Sequence, residues 1–318
     1  MNFILRQMSH IRYMIPLIIE GNMRGIKSTI YWQSCGKYNS PHIYKDVLRE
    51  FSKTFSFNLI NSDSGSLDGI TFNVEGDGFE RFEIEKLVIL TNMTDFHIRH
   101  KMYWEKIDHC IFPSKYFSSL AGRELDAKSL FLGSPKYDVI LNRNEIFKKY
   151  NLNESDKYVF MPLPRARDYN NIDVNNLCSL IQKMGFKIIT KTRGKDNCSA
   201  NSDLHLVDFS WYPHDSMELI SISDFVVNFD STSIKECIKL KKKVLNFNIK
   251  PFAQLLPEFY KSKSVINIKR NFDSNNKNEI RIKKLLDRSP DFDYYIERYL
   301  FTGNSSRKII NHFYENNI

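Results

Sequence analysis

"NFDSTSIKE", residues Asn228 to Glu236, decides how the rest of the chain is read. The apolar run Phe225-Val226-Val227 precedes it and Cys237-Ile238-Lys239-Leu240 follows, so a strand passes into a helix. Asp230, Ser231, Thr232 and Ser233 stand at the junction, and Glu236 stands one turn into the helix. Hydroxyl side chains at a helix start cap free main-chain N–H groups. The same amides and hydroxyls, with the helix dipole, also suit a phosphate. In that reading Ser231, Thr232 and Ser233 face a phosphate, and Glu236 accepts hydrogen bonds from a ribose. Capping and phosphate binding coexist where different hydroxyls serve each.

The strand-to-helix pattern recurs along the chain. Phe3-Ile4-Leu5 reads as a strand, the stretch ending at Met23 as a helix, and residues 26–32 as a second strand. Residues 87–90, 110–112 and 130–132 are further strand candidates, each ending in a polar or Gly/Pro loop. A second series comprises 158–161, 186–189, 204–207, 225–227 and 244–247. Such alternation predicts an α/β protein with parallel sheets covered by helices. A charged segment, 142–157, separates the two series. The expected domains are 1–145 and 146–290, with a C-terminal segment over 291–318. Two doubly wound, Rossmann-like domains facing a cleft would bind ligands outside the C-terminal ends of their strands. The loops after strands are therefore the places to search.

The chain has 318 residues, which suits two domains of roughly 100–200 residues each. A hydrophobic content of 42%, with 16 Tyr and 24 Phe, is enough for real cores. The net charge of +9 points to an anionic partner, such as a nucleotide, an acidic glycan or phospholipid head groups. With no arginine-rich tract or aromatic RNA-binding motif, nucleic acid is not expected as a partner. Five cysteines (Cys35, Cys110, Cys178, Cys198 and Cys237) form no CxxC pair, which reads as reduced, cytoplasmic thiols and not a zinc site. The N-terminal apolar runs are split by Arg6, His10 and Arg12, so no signal-peptide core is expected. No segment approaches the ~20 apolar residues of a membrane span. The expected location is cytoplasmic, with peripheral contact at the inner face of an anionic membrane kept open.

Two more loops of the second domain carry cations just past a strand. Arg165 and Arg167 follow Met161-Pro162-Leu163-Pro164, and Lys191 and Arg193 follow Ile188-Ile189-Thr190. Cations there are placed to clamp a diphosphate. His214 precedes a helix and is placed either to touch a donor or to cap that helix through Asp215. In the first domain, His10 sits in the loop after the first strand, where an imidazole suits a general base. Arg6 and Arg12 would hold it neutral by like-charge repulsion if they point the same way. Asp95 ends another strand and is a rival base, with His97 and His100 weaker candidates. No G-x-x-x-x-G-K-[ST], HExxH or G-x-S-x-G motif appears. The chain is also read as lacking an Asp-x-Asp pair of the sort metal-dependent sugar transferases use. The expectation is metal-independent chemistry without a cofactor, in which fixed positive charge stabilises a leaving phosphate.

The run from Ser223-Asp224-Phe225 through Asp230-Ser231-Thr232-Ser233, Glu236 and Val244-Leu245 resembles the donor-site segment of GT-B glycosyltransferases. It is similar to that segment in surface-polysaccharide transferases, CDP-glycerol glycerophosphotransferases and non-hydrolysing UDP-sugar 2-epimerases. Residues 8–17 resemble their first loop and helix, and residues 132–138 the end of their first domain. Residues 303–309 resemble a C-terminal helix that packs back onto the N-terminal domain. The resemblance implies that Ser/Thr residues contact donor phosphates and the glutamate the ribose. Epimerases carry a double glycine where this chain has Thr232-Ser233. CDP-glycerol transferases carry a histidine in the loop that here reads Thr190-Lys191-Thr192-Arg193-Gly194. The resemblance thus implies a metal-independent glycosyltransferase. It would move a sugar from a nucleotide-sugar donor to a glycan or lipid-linked glycan acceptor on a bacterial surface polymer, such as capsule or lipopolysaccharide. A CDP-polyol phosphotransferase is one alternative, and a non-catalytic GT-B protein that binds a glycan or a partner is another.

Overall fold

Among the described residues thirteen strands build two parallel sheets, whose central strands read as near-continuous apolar runs. The computed structural model describes residues 1–34, 40–91, 101–121, 127–164, 173–192, 200–207, 210–249, 256–269 and 275–315. The chain forms two compact units, one of Met1–Val139 with Glu297–Ile318 and the other of Ile140–Ile296.

In the first unit the strands are β1 (Asn2–Leu5), β2 (Thr29–Trp32), β3 (Asn58–Asn61), β4 (Gly65–Val74), β5 (Phe82–Leu90), β6 (His109–Ile111) and β7 (Ser129–Leu130). Their spatial order is β3-β2-β1-β4-β5-β6-β7, all parallel. The order reverses direction between β1 and β4, so the switch point at which such sheets hold ligands falls at the loops that follow these two strands. Phe3, Ile4 and Leu5 are buried against Phe72 and Val74 of β4, with the Phe3 and Phe72 rings stacked at 5.7 Å. The helix Ile11–Asn22 lays Met14, Ile15, Leu17 and Ile18 into the same core.

The C-terminal helix Ser305–Ile310 folds with this first unit, packing against Ile11–Asn22. Its start is held by Asp138, whose carboxylate accepts from Ser305 N (3.1 Å), Ser306 N (2.5 Å) and Ser306 Oγ (2.7 Å). Gly133 lies under the same turn with φ +87°. A Cβ there would sit 2.1 Å from Ser305 Oγ and 2.6 Å from the Phe301 ring. The Gly133–Asp138 and Gly303–Ile309 stretches, 167 residues apart at Asp138 and Ser305, are two halves of one joint.

The second unit contains β8 (Tyr158–Pro162), β9 (Lys187–Thr192), β10 (Leu204–Val207), β11 (Phe225–Asn228), β12 (Lys243–Asn248) and β13 (Val265–Lys269). Their order is β10-β9-β8-β11-β12-β13, again all parallel, with the reversal between β8 and β11. The core gathers Val159, Met161, Ile188, Val227, Leu245 and Ile268 under the helices Val174–Lys183 and Asn275–Asp287. The charged 142–157 segment folds into this unit. Its helix Arg143–Lys149 is anchored by Glu218, which accepts from Lys149 Nζ (2.6 Å) and Tyr150 OH (2.7 Å). Among the described residues no helix is long and apolar enough to cross a membrane.

Candidate functional site

The NFDSTSIKE stretch lies where the second sheet reverses, since it follows β11 directly. It runs into the short helix Ile234–Lys239. Asp230 takes a left-handed conformation, φ +47°, which turns the chain sharply out of the strand. The polar side chains then divide into two sets. Asp230 is buried, accepting from Asn246 Nδ2 (2.8 Å) and from the Ile249 N–H (2.7 Å). Ser233 donates its hydroxyl to Asn228 Oδ1 at 3.0 Å. The Ser233 N–H donates to Ser231 Oγ at 3.3 Å. Thr232 Oγ1 makes no hydrogen bond among the described residues. Ser231 and Thr232 are half-buried, and Glu236 is buried one turn further on. Ser233 does not cap the helix through its side chain. Asp230 and Ser233 therefore tie the loop to the strands through their side chains, whereas Ser231 Oγ accepts from the Ser233 N–H and the Thr232 hydroxyl is left unbonded among the described residues.

Lys191 lies at the end of β9, its ammonium turned onto the carboxylate of Asp215 with Ser216 Oγ 3.4 Å away. His214 is the residue before the helix Asp215–Ile222 and makes no side-chain cap. Its Nε2 is 3.7 Å from the Asp215 carboxylate. The two predicted residues are thus brought together by a buried Asp215 that neither loop announces on its own. Arg165, Arg167 and Arg193 lie outside the described residues, as do Asp95, His97 and His100.

In the first unit, His10 closes a 3-10 turn after β1 and is 7% exposed. It does not cap the following helix, and its Nδ1 is buried with no hydrogen-bond partner among the described residues. Burial lowers its pKa to about 4; Asp77 opposes the shift and Arg12 adds to it. The expected cause, repulsion from Arg6 and Arg12, is corrected on two counts. Desolvation is the larger effect, because imidazolium loses its hydration in the core. Arg6 instead faces Asp77 (Nε to Oδ1, 3.6 Å) and Glu80 (Nη1 to Oε2, 3.8 Å).

Sequence reasoning missed the other half of this cluster. β4 ends at Val74, and the loop after it places Asp77 beside β1, where Gln7 Nε2 donates to Asp77 Oδ2 at 2.5 Å. Gln33, just past β2, donates to the Gly78 carbonyl at 2.6 Å. Loops after β1, β2 and β4 thus meet at the reversal point around His10. The available signal was Gly76-Asp77-Gly78, a turn triplet one residue past Phe72-Asn73-Val74.

The buried His10 has a consequence for acid stability. Below its ordinary pKa of 6.5 the unfolded chain takes up a proton that the folded chain refuses until about 4. Stability from this residue is therefore full above pH 6.5 and is lost as pH falls towards 4. The loss is on the order of 3 kcal/mol across that window. Urea denaturation of His10→Asn should show a flatter acid limb than the wild type, whereas equal slopes would remove His10 as the source.

The expectation that the chain lacks an Asp-x-Asp pair is corrected by Asp291-Phe292-Asp293, although the two carboxylates face different partners. Asp291 accepts from Ser262 Oγ (2.5 Å) and the Lys263 N–H (3.0 Å), and Asp293 pairs with Lys241 at 2.8 Å. No group of three or more metal-ligating side chains occurs among the described residues.

Two doubly wound parallel sheets with these helices define the GT-B fold, and the chain has that fold. No family model and no curated protein matches the sequence. The structure is similar to a UDP-GlcNAc 2-epimerase of Methanocaldococcus jannaschii in complex with UDP-GlcNAc and UDP, at a TM-score of 0.61 and 12% identity over 98% of each chain. It is similar to the wall teichoic acid polymerase TagF at a TM-score of 0.62 and 13% identity, over 99% of this chain and 88% of that one. A glycotransferase of kitacinnamycin follows at a TM-score of 0.55 and 8% identity, over 98% of this chain and 95% of that one. At such identities the likeness is one of fold.

Proposed function

We propose that the chain is a glycosyltransferase that moves a sugar from a nucleotide-activated donor to a growing bacterial surface glycan, without a metal or other cofactor. The observation that carries this reading is the loop after β11. It stands at the reversal of the sheet, where such folds bind nucleotides, and carries the half-buried Ser231 and Thr232 with Glu236 one turn behind. The donor diphosphate is assigned to Ser231 and Thr232, the ribose to Glu236, and supporting charge to Lys191, His214, Arg165, Arg167 and Arg193. Ser233 joins them by shaping the loop. The acceptor, a glycan or lipid-linked glycan, is assigned to the first unit, with His10 as the base and Asp95 as its rival. In the step itself the acceptor hydroxyl gives its proton to the base. Its oxygen bonds to the anomeric carbon, and the carbon–oxygen bond to the nucleoside diphosphate breaks.

The UDP bound in the epimerase structure supports a uridine donor. The likeness to TagF supports a second reading, transfer of a polyol phosphate from a CDP-activated donor. The nucleotide separates them. A thermal-shift screen against CMP, CDP, UDP, GDP and TDP should single out one base, because a specific ligand raises stability by mass action. Glu236→Ala should then weaken that nucleotide by roughly 1–3 kcal/mol through a lost charge-assisted contact. Unchanged affinity in a folded variant would take Glu236 out of the site, and no response to any nucleotide would sink the donor reading.

A further inference from the structure

The loop that presents Ser231 and Thr232 is tied to a line of asparagines running across three strands. Asn228 of β11 is in register with Asn246 of β12, and Asn246 with Asn267 of β13. Asn246 is 0% exposed. Its Oδ1 accepts from Asn228 Nδ2 (2.9 Å) and from the Asp230 N–H (3.0 Å). Its Nδ2 donates to Asp230 Oδ1 (2.8 Å) and to Asn267 Oδ1 (3.1 Å). A side-chain amide has two donors and two acceptor sites, so Asn246 is saturated. Tyr260 OH adds a tie by donating to the Ser231 carbonyl at 3.2 Å. Asn267 Nδ2 holds the Tyr260 carbonyl in turn at 2.9 Å.

A core needs no asparagine at Asn228 and Asn246, both 0% exposed, with a third, Asn267, in register beside them at the edge. Apolar residues of similar volume would satisfy packing, and each buried amide has a desolvation cost unless every bond is made. Two of the four bonds of Asn246 go to Asp230, and the other two to Asn228 and Asn267 of the strands on either side. Asp230 is the non-glycine residue held at φ +47°, a conformation that costs about 1–2 kcal/mol without compensation. We propose that Asn246 is a positioning residue of the donor loop. As the middle rung of this ladder it clamps the left-handed turn at Asp230, and so fixes where Ser231 and Thr232 present their hydroxyls to a diphosphate. The proposal rests on the donor-site reading above and adds the element that pre-organises it.

The test is Asn246→Asp, which keeps shape but turns an N–H donor into an oxygen facing Asp230. The titratable groups around it are Asp230, Tyr260, and Cys237 and Glu236 of the following helix. At about pH 8 two carboxylates would face each other and push the turn open. At about pH 5.5 one shared proton restores an O–H···O bond between them. UDP and CDP are the probes. Affinity for whichever binds the wild type should fall at least ~10-fold at about pH 8 and recover to within ~3-fold at about pH 5.5. A merely structural role would lower the unfolding midpoint without this acid rescue of binding. Tyr260→Phe, a milder change, should weaken binding by ~3- to 10-fold, and it carries the test if Asn246→Asp does not fold. Wild-type affinity in folded Asn246→Asp at about pH 8, or no recovery on acidification, overturns the proposal. A preference for another base in the screen above changes only the probe, and should the wild type bind none of the five nucleotides the donor reading fails by itself. The ladder is then judged by amide exchange over residues 229–236 in the ligand-free protein. Faster exchange in the variants sustains the clamp, and unchanged exchange overturns it.

Discussion

His10→Ala is expected to lower sugar transfer by ~10²–10⁴-fold while donor affinity stays nearly intact, because a base acts on the acceptor in the transition state and not on the bound nucleotide. His10 lies in the first post-strand loop, at the reversal of the first sheet, in a cluster with Gln7 and Asp77. It is neutral down to about 4. Two consequences separate it from an ordinary surface histidine. Turnover should not fall between about pH 8 and pH 5.5 on its account, because no protonation occurs there. Asp77→Asn should also lower turnover, since a proton gained by the imidazole is stabilised by that carboxylate. His10→Gln, which keeps a polar group of similar size, guards against simple loss of packing. Wild-type turnover in both histidine variants would exclude the assignment. Transfer activity that survives them and dies in Asp95→Asn would move the base to Asp95.

Gly133→Ala should destabilise the protein by about 3–5 kcal/mol, a large effect for one methyl group. The left-handed backbone alone, φ +87°, costs an alanine about 1–2 kcal/mol. The added Cβ would also overlap Ser305 Oγ at 2.1 Å and Phe301 ring carbons at 2.6 and 2.9 Å. The helix start cannot slide away freely, because the N–H groups of Ser305 and Ser306 are held by the Asp138 carboxylate. Relief means breaking that cap, which itself stabilises by about 0.5–2 kcal/mol. Urea denaturation measures the loss. Adding Ser305→Ala should recover part of it by removing the closest clashing atom. A single variant within about 1 kcal/mol of wild type would show that the joint is looser than its geometry states.

Much of the fold was legible from apolar runs of four or so residues bounded by turns. Phe3-Ile4-Leu5, Phe225-Val226-Val227 and residues 244–247 each lie within an observed strand. Three strands were not legible, for identifiable reasons. β3 is an edge strand with exposed asparagines at both ends, so it lacks apolar alternation. β4 begins Gly-Ser-Leu-Asp-Gly and carries a register shift between Leu67 and Ile70, so half of it reads as loop. β13 is a short edge strand interrupted by an exposed Asn267. Missing β4 hid the reversal point of the first sheet, and with it Asp77, Gly78 and Gln33. Missing β13 hid the outer rung of the asparagine ladder.

By itself the sequence determined what depends on neighbours a few residues apart. That includes the strand-to-helix junction at Asp230-Ser231-Thr232-Ser233, the alternation that makes the sheets parallel, and the post-strand position of His10. Tertiary structure alone decided that Asp230 and Ser233 of the junction bond to strand asparagines, since Asn228, Asn246 and Asn267 meet only through strand register. It also decided that Lys191 and His214 share Asp215, and that Asp138 closes a helix 167 residues away. The physical reason is range. Periodicity and turn chemistry act along a few bonds of chain, whereas register, burial and the pKa of His10 are set by groups that only packing brings together.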